Sequence, residues 1–401
     1  MDSETTTRGT VGEVFRTFLK LGLTSFGGPI AHLGYFRDEI VVRRRWLGEA
    51  AYAELVALCQ FLPGPASSQV GFALGLWRAG PLGALAAWAA FTLPSAIVLV
   101  LFAFGAVALD GPVAQGLLHG LKIVAVAVVA QAVWGMARTL TPDWQRLAIG
   151  VGAVVIALML AGSFGQVISI VLGGLAGLVL CRSGASVPAV TMRFPVSPAV
   201  GLLCLTIFAV LLFGLPVLAS LANAQGLDLF DAFYRAGALV FGGGHVVLPL
   251  LDAETVASGW ISKDSFLAGY GAAQAVPGPL FTFAAYLGAV VSTPPNGVLG
   301  AAIALVAIFL PGFLLLLGVL PFWDAIRGRP LAQAAMRGAN AAVVGILAAA
   351  LCDPVWTSTI LGPLDLALAL LGFGALVVLK LPPWIVVASL AVAGVVIGLV
   401  F

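Results

Sequence analysis

Charge is scarce in this chain. Of 401 residues, 19 are Lys or Arg and 17 are Asp or Glu, only 9% together. So little charge cannot cover the surface of a soluble domain of this size, and a formal net charge of +2 is too small to point to nucleic acid. Cysteine is scarce too. The four cysteines, Cys59, Cys181, Cys204 and Cys352, stand singly in apolar segments, with no CxxC or His spacing. A disulfide framework or a zinc site is therefore not expected, and packing roles are. No Gly-x-x-x-x-Gly-Lys-Ser/Thr loop occurs, so no nucleotide site and no cofactor is expected. Residues 1 to 12 are polar and lead into no short apolar core with a small-residue cleavage site, so no removable signal peptide is expected.

Apolar residues take the place of charge. They make up 61% of the chain, and the mean hydropathy is +1.11, which describes an integral membrane protein whose partner is the lipid bilayer. Within this background one stretch is written twice. Residues 18–65 and 233–279 superpose with Phe26-Gly27-Gly28 on Phe241-Gly242-Gly243. Lys20 then falls on Arg235 and Glu39 on Glu254. One deletion brings Trp46 onto Trp260, Gln60 onto Gln274, and Pro63-Gly64-Pro65 onto Pro277-Gly278-Pro279. An internal duplication of this kind is a statement about fold.

Both motifs break helices. In the first half the expected pieces run 10–25 and 29–42 around Phe-Gly-Gly-Pro, then 48–61 and 66–78 around Pro-Gly-Pro. The first two pieces, at about 1.5 Å per residue, fall short of a roughly 30 Å hydrocarbon core, so each broken pair reads as a re-entrant hairpin or a bent pair of short helices. Spans are expected at 82–109, 116–138, 146–161 and 163–181, followed by a polar linker and an unpaired span at 198–221. The second half repeats the plan at 228–257, 265–292, 297–320, 333–351, 362–379 and 381–401. The domains expected are a first repeat over 10–181, a linker with a connecting helix over 182–227, and a second repeat over 228–401.

One unpaired helix reverses the second repeat, and charge agrees. Arg43-Arg44-Arg45 follows the first hairpin, whereas Asp252, Glu254, Lys263 and Asp264 follow its counterpart. Asp110 stands in the loop after the first long span, against Asp324, Arg327, Arg329 and Arg337 in the second half. A cytoplasmic N-terminus places Arg43 to Arg45, Arg78, Arg138, Arg146, Arg182, Arg193, Arg327, Arg329 and Lys380 inside, and the C-terminus outside. The expected fold class is thus an all-α integral membrane protein of two inverted-topology repeats with broken or re-entrant helices, joined by an extra transmembrane helix.

Inverted repeats with discontinuous helices are a build of secondary transporters, because unpaired backbone amides at membrane depth are tolerated only where they line a cavity. Four helix N-termini, at Gly28, Pro65, Gly244 and Pro279, would each present free N–H groups and a partial positive charge, an arrangement suited to an anion. Pro65 and Pro279 suit a first helical turn. Lys20, Lys122 and Arg235 are cations inside apolar segments, with Asn340 matched to Lys122, and such residues serve a pathway, pair with a carboxylate or snorkel to the interface. His32 and His245 are candidates for binding an oxyanion or carrying a proton, or are buried structural residues. Glu39 and Glu254 are candidates for proton coupling or for salt bridges. Gln60, Ser67, Ser68, Gln69, Gln274 and Thr282 flank the Pro-Gly-Pro breaks, either to donate to an oxyanion or to cap freed backbone.

The Phe-Gly-Gly-Pro with its basic loop, the Gln-x-x-Pro-Gly-Pro of 60–65, the Phe-Gly-Gly-Gly-His of 241–245 and the Gln-Ala-Val-Pro-Gly-Pro of 274–279 resemble the chromate ion transporter (CHR) family in its long, two-domain form. The resemblance runs from about residue 12 to 400. It implies a multi-pass protein of the bacterial inner membrane that exports chromate, with sulfate, the isosteric dianion, as the natural competitor. It implies a carrier, and no enzyme is expected, because the few intramembrane polar residues offer neither a clustered nucleophile and base nor several carboxylates for a metal. The site expected comprises Lys20, Phe26, Gly27, Gly28, Pro29, His32, Gln60, Pro63, Gly64, Pro65, Lys122, Arg235, Gly242, Gly243, Gly244, His245, Gln274, Pro277, Gly278 and Pro279. Pro29 is replaced by Gly244 in the second half, so the two breaks need not contribute equally. A sulfate permease, an anion channel and a lipid-phosphate flippase or membrane enzyme are the other readings, and glycine-rich helices leave room for a homodimer.

Overall fold

The computed structural model describes residues 9–108, 111–160, 162–182, 194–222, 224–241, 243–326 and 328–400. Asp110, Arg193, Gly242 and Arg327, and most of the 182–197 linker, lie outside the described residues. The protein is built from α-helices, with no strand among the described residues.

The helices follow the two kinds of break. Helix α1 (Val11–Thr24) stops at Ser25, and α2 (Gly28–Phe36) restarts with Pro29 in its first turn and continues as a π-helical turn over Arg37–Arg43. Helix α3 (Glu49–Phe61) ends at Leu62, and α4 (Ala66–Ala108) follows Pro65, bent where Ala79 and Gly80 leave helical geometry. Then come α5 (Pro112–Leu140), α6 (Trp144–Met159), α7 (Ser163–Leu180) and the connecting α8 (Pro198–Ala222). The second half gives α9 (Gln225–Ala238), a 3-10 turn over Gly244–Val246 into α10 (Val247–Thr255), and α11 (Lys263–Ala273). A further 3-10 turn over Leu280–Thr282 leads into α12 (Phe283–Val290), and α13 (Gly297–Val319) follows. The short α14 (Trp323–Ile326), α15 (Pro330–Ala350), the single turn α16 (Thr357–Thr359), α17 (Pro363–Val377) and α18 (Pro383–Val400) complete the chain.

Among the described residues, five helical runs are long and apolar enough to cross a membrane: 66–105, 112–140, 198–222, 297–326 and 330–359. Their outward residues, among them Leu101, Val210, Phe213 and Leu299, are exposed and apolar, which suits hydrocarbon and would be ruinous in water. This is a multi-pass membrane protein. Cys59, Cys181 and Cys204 are buried as expected of packing residues, while Cys352 is exposed.

Equivalent helices make equivalent contacts. Helix α1 packs on α4, and α9 on α13. Further along, the partners are exchanged: α5 of the first half packs against α17 and α18 of the second, and α15 of the second against α6 and α7 of the first. Small residues set these crossings. A Cβ added at Gly394 would lie 2.7 Å from Gly120 Cα, and one added at Gly338 would lie 2.6 Å from Gly177 Cα. No side chain fits at either crossing, so the helix backbones pack directly. Helix α8 sits at the edge, packed on α9 and α13.

Candidate functional site

The breaks are fixed by backbone that only glycine adopts easily. Gly27 (φ +96°), Gly28 (φ +80°), Gly64 (φ +122°) and Gly278 (φ +107°) all lie in the left-handed half of backbone space. The chain thereby leaves one helix, turns, and enters the next within a few residues. The freed backbone groups are then satisfied across the two halves. The Gly64 N–H donates to Val240 O at 2.7 Å, and the Gly278 N–H donates to Ser25 O at 2.9 Å. Each Pro-Gly-Pro loop is thus bonded to the residue just before the opposite half's Phe-Gly-Gly.

Helix α4 and helix α13 complete the interlock. A Cβ at Gly278 would stand 2.7 Å from Ser95 Oγ, and one at Gly64 would stand 3.0 Å from Gly312 Cα. Gln69 ties the second contact, its Nε2 donating to Pro63 O at 3.0 Å and to Gly312 O at 2.9 Å. Thr282 Oγ1 caps the other loop by donating to Pro279 O at 2.7 Å.

Three of the four breaks meet around one small cavity of about 20 Å³, lined by Gly27, Gly28, His245, Gln274, Gly278 and Leu280 among others. That is room for about one water molecule. A Cβ at Gly28 would lie 3.7 Å from His245 Nε2, and one at Gly244 would lie 3.2 Å from Pro29 Cγ. His245 Nδ1 is fixed by Tyr270 Oη at 2.7 Å, which leaves Nε2 facing Gly28. Phe26 and Pro277 border this region half-buried, Pro279 is buried, and Gly243 approaches Met136. Pro63, Gly64 and Pro65 form the fourth break, seated on α13. Gly242 is outside the described residues.

Other expected site residues stand apart from the cavity. Lys20 Nζ bonds Glu39 at 2.7 Å, and the repeat-matched Arg235 bonds Glu254 at 2.9 Å. The matched cations and matched carboxylates thus pair with each other. Glu39 also accepts from Arg44 at 2.9 Å and lies 3.4 Å from Arg43, whereas Arg235 is shared with Asp231 at 3.0 Å. Lys122 bonds Asp264 of α11 at 2.9 Å. Gln60 is exposed, unlike its counterpart Gln274, whose Nε2 has no partner among the described residues. His32 is buried behind the first break, with Nδ1 3.4 Å from Ser67 Oγ.

Sequence reasoning missed Ser25, Trp88, Thr92, Ser95, Asp231 and Tyr270. Four of them are polar residues within or at the edge of apolar runs, and their one signal is that their repeat counterparts are apolar or glycine: Val240 for Ser25, Leu305 for Trp88, Phe309 for Thr92 and Gly312 for Ser95.

A profile described as chromate transporter matches this chain twice, over residues 12–178 and 227–395. The chain is 31% identical over 353 residues to a chromate transport protein of Pseudomonas aeruginosa, covering 85% of this chain and 80% of that protein. It is 30% identical over 400 residues to a probable chromate transport protein of Synechococcus elongatus, covering 94% and 93%. An uncharacterized transporter of Methanocaldococcus jannaschii is 24% identical over 341 residues, covering 84% and 82%. No solved structure matches the chain. Apolar spans, interlocked helix breaks and these likenesses define a membrane transporter and not an enzyme. The chain belongs to the chromate transporter family.

Proposed function

We propose that the protein carries chromate, a tetrahedral dianion, out of the cell by alternating access, one half moving against the other around the helix breaks. Sulfate, of the same shape and charge, is its natural competitor. The observation that carries this reading is the reciprocal pair of hydrogen bonds between the halves, Gly64 to Val240 and Gly278 to Ser25, the second of them beside a cavity too small for the anion. A site made from both halves and closed by both can open only if the halves move apart. The matched contacts of α1 with α4 and α9 with α13, and the opposite charges after the two hairpins, support an inverted second repeat with the N-terminus cytoplasmic. Outward movement of a dianion through an inside-negative potential is favourable by about 4.6 kcal/mol per 100 mV, about 2.3 per charge, so export needs no nucleotide.

The test is chromate uptake into inside-out vesicles, with and without excess sulfate and with the potential collapsed. Protein-dependent uptake that falls with sulfate is expected. Sulfate uptake without chromate uptake would make the protein a sulfate permease. Flux of neither anion by folded protein would end the oxyanion reading.

A further inference from the structure

Several buried donors on the first half have nothing to bond. Ser25 Oγ, His32 Nε2, Trp88 Nε1 and Thr92 Oγ1 have no hydrogen-bond partner among the described residues. Ser25 and Thr92 are 0% exposed and His32 1%. Leaving a buried donor unmade costs about 1–3 kcal/mol, so a group of them calls for a ligand or for displacement.

These groups share one neighbourhood. The His32 ring stands edge-on to Phe91, with centroids 5.4 Å apart, and lies against the Ser25 backbone. Ser25 O holds the Gly278 N–H, and a Cβ at Gly278 would lie 3.3 Å from Phe91 O and 2.7 Å from Ser95 Oγ. Thr92 is the next residue of α4. Trp88, Thr92 and Ser95 recur at i, i+4 and i+7 and so share a face of that helix. Trp88 stands against Phe309 and Phe313 of α13, so this face points to the interface between the halves.

The duplication supplies a control within the molecule. Pro94 of α4 matches Pro311 of α13, and the same register puts Phe309 on Thr92 and Leu305 on Trp88. The first break puts Val240 on Ser25 and Val247 on His32. Each of these four donors has an apolar counterpart, and Val240, Val247 and Phe309 are each 0% exposed. At these matched positions the second half offers no donor.

We propose that the anion site is one-sided: a single tetrahedral dianion is held by the uncharged donors Ser25 Oγ, His32 Nε2 and Thr92 Oγ1 of the first half, with no matching set of donors in the second. This rests on the oxyanion-carrier reading and settles where and how many anions bind. Neutral donors satisfy the dianion's oxygens without a fixed cation, and the paired Lys20 and Arg235 stay in their salt bridges.

The test is equilibrium dialysis of chromate against the purified full chain in lipid nanodiscs. One chromate per chain is expected, with Ser25→Ala and Thr92→Val each weakening binding about tenfold or more, about 1.4 kcal/mol. Thr92→Ser, which keeps the hydroxyl, should bind nearly as the parent does, and so should Thr206→Val on exposed α8. Two chromates per chain, or parent affinity in both Ser25→Ala and Thr92→Val, would overturn the one-sided site while leaving the carrier reading intact. Folded parent protein that binds neither chromate nor sulfate would overturn both.

Discussion

The salt bridges of the two halves look alike and differ in charge. Around Glu39 stand three cations, Lys20, Arg43 and Arg44, while Arg235 stands between two carboxylates, Asp231 and Glu254. Asp231 occupies the repeat position of Arg16. The same substitution therefore has different effects. Lys20→Gln leaves Glu39 with Arg44 and removes a half-exposed partner, so its cost stays within about 1 kcal/mol. Arg235→Gln removes the cation that Asp231 and Glu254, both mostly buried, share, and costs about 3 kcal/mol. Thermal unfolding in detergent should rank the two in that order, and adding Asp231→Asn to Arg235→Gln should recover part of the loss. An equal effect would mean that the clusters are not distinct. The glutamines differ likewise: Gln274 lines the cavity and Gln60 is exposed, so Gln274→Ala should reduce chromate flux several-fold more than Gln60→Ala.

At the scale of helices, glycine decides what can pack. Gly338 and Gly394 each sit where an added Cβ would run into the backbone of the opposite half, so Gly338→Val or Gly394→Val should cost about 1–3 kcal/mol and lower the folded yield. Gly374 meets nothing within 4 Å, and Gly374→Ala should be neutral or stabilising by about 0.5–1 kcal/mol. Gly278→Ala combines a left-handed backbone with a Cβ 2.7 Å from Ser95 Oγ and should fall with the damaging class. The order of these elements was legible beforehand, because proline and glycine mark breaks and long apolar runs mark spans. Helix ends expected at 163–181, 198–221 and 333–351 lie within about three residues of those observed. The pairing of Lys20 with Glu39 and Arg235 with Glu254 was not legible. Matched positions 19 residues apart across a break have no fixed spacing, because periodicity does not survive a turn. The exchange of partners between α5 and α15 was also hidden, since a glycine stripe states that a helix approaches closely and does not name what it approaches. Ser25 and Thr92 are not legible because a hydroxyl beside or within an apolar run is ordinary until its lack of a partner is seen.

For the molecule as a whole, the interlock predicts how transport can be stopped. Pro29 and Gly244 belong to different halves and nearly touch, so Pro29→Cys with Gly244→Cys is within reach of a disulfide. Oxidation should abolish chromate flux and reduction should restore it, whereas full flux by the cross-linked protein would exclude movement of these breaks against each other. Cysteines placed at 43–45 and at 252–264 should be labelled from opposite faces of the membrane, and labelling from one face would remove the inversion.

The exchanged helices also have a consequence in time. Helix α5 ends at Leu140, but helix α18, which covers its glycine face, begins at Pro383. At roughly 5–20 residues per second, the ribosome needs about 12–49 seconds to reach it. Through that interval the first half sits in the membrane with Gly116 and Gly120 uncovered, and until Gly278 is made the Ser25 carbonyl lacks the amide that will bind it. Assembly of the nascent chain therefore includes a waiting stage set by translation, and synonymous slowing between residues 141 and 382 would lengthen its exposure to quality control.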